Sequence, residues 1–137
     1  MDERYSPYYM EDVDLSVRAW RMGWKCYYEE DAVCYHKLSE TISKHSSKKH
    51  VSYISKRNKF IFHALHLEGG KRMLWKTENA MNLLTRWIAL DTEYYRSYSA
   101  YKKVTRKENT RVNFPKTLEE AVSEILRNAD NIEKKLF

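Results

Sequence analysis

Residues 11–36 read EDVDLSVRAWRMGWKCYYEEDAVCYH, and this stretch decides how the rest of the chain is read. Its first half has the pattern of a helix running from Met10 to Met22. Leu15, Ala19 and Met22 fall on one stripe, and Gly23 supplies the stop. Glu11, Asp12 and Asp14 crowd the first turn, where the helix dipole and unpaired N–H groups favour negative charge. Two short β-like runs follow, Trp24–Tyr28 and Ala32–His36, separated by the acidic turn Glu29-Glu30-Asp31. Three carboxylates in four residues have a plain explanation: charge complementarity at the helix start, plus an Asp14–Arg18 pair four residues apart on an exposed face. Tyr8 and Tyr9 just upstream suggest a second one. Aromatic neighbours wall a partly dehydrated pocket, in which a carboxylate is tuned towards general-base work.

Outward from this stretch, residues 39–50 (SETISKHSSKKH) are polar, rich in Ser and Lys, and read as a linker. Beyond them the pattern is helical. Val51, Ile54, Ile61 and Leu65 recur at helical spacing, and Gly69-Gly70 closes that segment. A long helix is expected from about Lys71 to about Val104, with Leu74, Met81, Leu84, Ile88, Tyr95 and Tyr98 on one face. A polar break over 106–113 precedes Pro115. Thr117 with Glu120 three residues later is a capping-box signature, and Leu118, Val122, Ile125, Ala129, Ile132 and Leu136 carry the last helix. The expected fold class is therefore α+β, mainly α. A helix-plus-two-strand piece occupies 1–38, a linker 39–50, and a helical extension 51–137 has three helices, the middle one long. The first piece is too small to hold a core of its own, so it packs on the helices or belongs to something larger.

Composition bounds the remaining classes. With 137 residues the chain is one ordinary domain in size, and 42% hydrophobic content with both charge signs argues for a folded protein. Three Gly and two Pro suit helices better than a turn-dense barrel. No apolar run approaches the roughly 18 residues of a membrane span, and the acidic, polar start is unlike a secretory signal. Cys26 and Cys34 form no CxxC pair and read as reduced thiols of a cytoplasmic protein. The 25 Lys+Arg against 19 Asp+Glu leave a net charge of +6, which permits an anionic partner without selecting one. Lys44, Lys48, Lys49, Lys56, Arg57 and Lys59 make the densest basic stretch. It lacks a nucleic-acid motif and reads as a solvated face, or as a contact for anionic lipid or a lipid-phosphate-linked acceptor. Asn58 lies on the apolar stripe between Ile54 and Ile61, where a polar group must find partners. Trp87 with Tyr94, Tyr95, Tyr98 and Tyr101 reads as core or interface before it reads as a sugar platform.

Residues 1–37 resemble the second half of the catalytic domain of family 2 glycosyltransferases, inverting enzymes with the GT-A fold, the rhamnosyltransferase-like and galactosyltransferase-like members above all. The resemblance rests on Asp2-Glu3, an aromatic before the acids, Glu11-Asp12-x-Asp14-Leu15, Arg18, Gly23-Trp24, Ala32 and His36, with Arg57-Asn58 as a weaker match further on. It implies a hexosyltransferase of bacterial-type cell-surface polysaccharide biosynthesis, cytoplasmic or at the inner face of the membrane. Such an enzyme moves a sugar from a nucleoside-diphosphate donor to a glycan or lipid-linked acceptor with inversion. In that scheme Asp12 is the catalytic base and Glu11 helps place the acceptor. Tyr9, Asp14 and Arg18 are acceptor-side candidates, and His36 is a ligand of a Mg²⁺ or Mn²⁺ ion that steadies the departing diphosphate.

No Asp-x-Asp lies on a strand-like run, since Asp12-x-Asp14 belongs to the base motif, the family's nucleotide-binding βαβ units have no counterpart here, and Glu30 stands where Pro is frequent. The expectation is thus a fragment that is inactive alone and takes its remaining metal ligands and most of its donor site from elsewhere. The contrasting expectation is a non-catalytic helical module whose aromatic helix makes a homodimer face.

Overall fold

The computed structural model describes residues 2–27, 29, 31–33, 46–107 and 112–136. Those residues form a single 3-10 turn, Glu3–Tyr5, and five helices: α1 (Glu11–Arg21), α2 (Lys48–His66), α3 (Gly69–Thr85), α4 (Thr92–Lys107) and α5 (Leu118–Leu136).

The α+β expectation is corrected: the described residues contain no strand. Helix α1 ends as the sequence implies. Gly23 takes φ +84°, its N–H reaches the Trp20 carbonyl, and the Trp24 N–H reaches Ala19 (both 2.9 Å), which closes a Schellman cap. The run from Trp24 to Tyr27 then continues without a ladder, and Trp24, Tyr27 and Val33 stay exposed. A β-like composition becomes a strand only when a neighbouring segment takes its N–H and C=O groups, and the described chain offers none. The second run lies largely outside the described residues.

The single long middle helix is corrected too. It is two helices, α3 and α4, separated by a turn over 86–91. Leu90 sits at φ +50°, a left-handed conformation that no helix interior contains. Asp91 then starts α4 by accepting from the Tyr94 N–H (3.0 Å), and Arg86 Nη1 donates to the same carboxylate (2.6 Å). Periodicity missed this break because the apolar positions on both sides stay in phase. Gly69 opens α3 rather than closing α2, which already ends at His66.

Helix α2 is the hub. Ser47 caps it by accepting from the His50 N–H, and its stripe Ile54, Asn58, Ile61 and Leu65 is buried. Helix α4 packs along it. Phe60 meets Tyr94, Tyr98 and Tyr101 with ring centroids 5.5, 5.5 and 5.7 Å away, so the tyrosine stripe is core. Tyr5 from the N-terminal turn completes the cluster with Ile61, Ala64, Leu65 and Tyr101. The N-terminal piece thus shares the core of the helices. Helix α5 packs on α1 and is capped reciprocally: Thr117 Oγ1 accepts from the Glu120 N–H, while the Glu120 carboxylate accepts from the Thr117 N–H (2.8 Å).

Candidate active site at the start of helix α1

Helix α1 begins on a strained backbone. Tyr9 and Met10 have φ of 72° and 75°, consecutive left-handed residues that are neither Gly nor Asn. Each costs about 1–3 kcal/mol unless its surroundings hold it. Asn58 of α2 does the holding. Its Nδ2 donates to the carbonyls of Tyr5 (2.7 Å), Tyr8 (2.7 Å) and Tyr9 (2.9 Å), sharing two hydrogens among three acceptors. Arg57 fixes the other end of the amide: its Nε and Nη2 donate to Asn58 Oδ1 (2.9 and 2.8 Å), and Nη2 also reaches the Ser6 carbonyl. The Arg57-Asn58 pair is therefore a clamp on the loop that presents Tyr8, Tyr9 and the acids. The rings of Tyr8 and Tyr9 stand edge to face, 5.1 Å apart.

The three carboxylates separate into different environments. Asp14, expected on an exposed face, is 2% exposed. Its Oδ1 accepts from Tyr5 Oη (2.9 Å) and His66 Nε2 (2.7 Å), and its Oδ2 accepts from Arg18 Nε, so the i,i+4 pair forms but faces inward. Burial alone would raise the Asp14 carboxyl; the hydrogen bonds from His66, Arg18 and Tyr5 outweigh it and hold the group below the usual carboxylate range. The same burial, with the Asp14 charge beside it, pushes the Tyr5 phenol up.

Asp12 is exposed. Its Oδ1 accepts from the Val13 N–H (2.8 Å), and its second oxygen has no hydrogen-bond partner among the described residues. Glu11 is half-buried and lines a cleft of about 260 Å³ with Asp2, Asp14, Leu15 and Arg18. One Glu11 oxygen, Oε2, is shielded from solvent and has no hydrogen-bond partner among the described residues, nor does the Tyr8 hydroxyl. A shielded carboxylate oxygen without a donor favours a ligand that brings one.

Behind Asp14 runs a buried polar chain that local sequence pattern did not reveal. His66, fully buried, turns Nδ1 towards Arg21 Nη1 (3.4 Å). A guanidinium only donates, so Nδ1 accepts and the ring proton sits on Nε2, aimed at Asp14. Arg21, also fully buried, donates to the Lys116 carbonyl (3.0 Å) and to Glu68, and stacks 4.1 Å over the Phe114 ring. On the other side Arg18 reaches Asp2, which Arg4 also holds. These partners lie 45, 52 and 95 residues apart in sequence, beyond any local signal.

The structure thus brings Glu11, Asp14 and Arg18 to one cleft, sets Asp12 on the surface beside it, and places Tyr9 in the clamped loop. His36 lies outside the described residues. Among the described residues no group of three or more His, Cys, Asp and Glu side chains is placed to hold a metal ion. They do not by themselves form the expected Mg²⁺ or Mn²⁺ site. No protein-family model matches the chain, and no curated protein or solved structure does either. No helix among the described residues is long and apolar enough to cross a membrane.

Proposed function

We propose that this chain supplies the acceptor side and the catalytic base of an inverting glycosyltransferase, working with a nucleotide-binding part that provides the sugar donor. The observation that carries the reading is the division of labour at the start of α1. Asp14 is consumed by the architecture, while Asp12 and Glu11 next to it keep oxygens free for a ligand. The Glu-Asp-x-Asp spacing of the resemblance makes a sugar hydroxyl the fitting ligand.

In this scheme an acceptor hydroxyl donates to Glu11 Oε2 and is positioned by it. Asp12 takes the proton from the attacking hydroxyl as its oxygen bonds to the anomeric carbon of the donor. The bond from that carbon to the diphosphate breaks, and the electron pair leaves with the diphosphate. Asp12 is suited to the role by its exposure beside the cleft, with its second carboxylate oxygen unpartnered among the described residues. The clamp of Arg57 and Asn58 keeps the acids and Tyr8 in register with each other.

The acceptor claim is tested on the chain itself by heteronuclear NMR titration with methyl glucoside, methyl galactoside and methyl rhamnoside. At least one glycoside is expected to shift the amides of Tyr8, Tyr9, Glu11 and Asp12, and Glu11→Ala to abolish the shift. Glycosides that leave these amides unmoved, or that bind equally well to Glu11→Ala, would overturn it.

A further inference from the structure

Helix α3 is turned the wrong way round for a water-facing helix. Its inner side carries Trp75, which packs on the core, and Asn79, whose Oδ1 accepts from Tyr94 Oη (3.0 Å). Its outer side carries Met73, Leu74, Met81 and Leu84, all exposed. At 100° per residue these four span one sector, completed by Gly70, Thr77 and Ala80, and no charged residue falls within it.

The sector does not end with the helix. It runs into the turn, where Trp87, Ile88, Ala89 and Leu90 are consecutive exposed apolar residues. Trp87 is 66% exposed, Ile88 74% and Leu90 81%. Hydrogen bonds from Ile88 N to Thr85 O (3.2 Å) and from Leu90 N to Trp87 O (3.1 Å) hold this tip, and Leu90 adopts its left-handed φ there. Four adjacent apolar side chains at the end of a helical hairpin, continuous with an uncharged helix face, exceed the scattered exposure of an ordinary surface.

The charges around the sector identify what covers it. Lys76 borders it on one edge, and Lys76 and Lys102 line a cleft of about 320 Å³ whose rim includes Ala80. Lys102 lies 5.8 Å from the rings of both Tyr98 and Tyr101. The sole acid of α3, Glu78, stands at the opposite edge. An exposed apolar helix face and turn, with Lys76 and Lys102 along one side in a chain of net charge +6, match a surface of apolar interior and anionic headgroups.

We infer that the outer face of α3 and the Trp87–Leu90 tip form an interfacial docking surface for an anionic lipid bilayer, with Lys76 and Lys102 contacting headgroup phosphates. This surface is separate from the α1 cleft and stands whether or not the transferase reading holds.

Co-sedimentation of the full chain with vesicles tests it. Vesicles of phosphatidylcholine with phosphatidylglycerol are expected to bind the chain, and phosphatidylcholine alone to bind it weakly. Lys76→Glu and Lys102→Glu are each expected to weaken binding by about fivefold or more, with salt acting in the same direction. Brominated lipid should quench the fluorescence of Trp87, with quenching retained in Trp24→Phe and lost in Trp87→Phe. The double variant Leu84→Ser with Trp87→Ser is expected to lose binding while keeping its circular dichroism and urea midpoint. Absence of binding to the phosphatidylglycerol vesicles, or binding that survives the double variant, would refute the proposal. So would a tight dimer in light scattering that the double variant dissolves.

Discussion

Helices α2 and α3 are consecutive in the chain, 19 and 17 residues long, and each carries apolar residues at helical spacing. They use those stripes in opposite ways. Helix α2 buries Ile54, Ile61 and Leu65, whereas α3 leaves Leu74, Met81 and Leu84 in the open and turns Trp75 and Asn79 inward. The difference is not one of hydrophobicity. It follows from where the polar anchors lie. Asn58 sits in the middle of the α2 stripe and binds three carbonyls of the N-terminal loop, which draws Tyr5 onto that face. In α3 the anchors sit on the other side, where Asn79 meets Tyr94 and the Leu83 carbonyl accepts from Tyr95 Oη (2.6 Å). A stripe faces inward when directional bonds on the same side give it a partner element; without them it is left for another surface to cover.

This contrast can be broken from its strongest point downward. Asp14→Ala leaves the His66 Nε2–H, the Tyr5 hydroxyl and Arg18 without their shared acceptor, and is expected to cost about 3–5 kcal/mol in urea unfolding. The pH dependence has a definite sign. The folded-state pKa of Asp14 is depressed, so its contribution is present above the ordinary carboxylate pKa of about 4 and is lost as pH falls through the folded value. The urea midpoint of the wild type should therefore drop on acidification below about pH 4, and more steeply than that of Asp14→Asn. A cost under about 1 kcal/mol would mean the buried chain is ornamental. Asn58→Ala comes next, at about 1–3 kcal/mol, with amide exchange speeding up in residues 5–9. The outward residues come last. The Leu84→Ser and Trp87→Ser pair is expected to leave stability in water within about 1 kcal/mol, because both side chains are two-thirds exposed and make no side-chain hydrogen bond among the described residues.

Much of the helical framework was legible in the sequence. The span and Gly23 cap of α1, the α2 stripe, the partner-seeking Asn58 and the Thr117–Glu120 box follow from short-range rules, and the structure contains each of them; of the aromatic stripe the tyrosines enter the core while Trp87 stays exposed. The failures are equally specific. Trp24–Tyr28 has strand composition but no described neighbour to pair with, and pairing is a tertiary property. The α3–α4 break hides in an unbroken apolar phase, although Asp91, with Glu93 in the turn that follows, is itself a helix-start signal.

At the candidate site, the acids and the Asp14–Arg18 pair were visible as a motif. Which acid is buried was not. That depends on His66 and Arg21, whose contacts join residues dozens of positions apart. A depiction of α1 as a solvated amphipathic helix would have treated all three carboxylates alike.

The central claim is that these carboxylates divide, Asp14 serving the fold and Asp12 the chemistry. The most direct measurement is the rate of sugar transfer by the chain assembled with a nucleotide-binding half, comparing wild type with Asp12→Asn. The account predicts a loss of about 10²–10⁴-fold in transfer, with the urea midpoint unchanged and donor binding intact. Transfer retained within about tenfold would contradict it and remove Asp12 as the base.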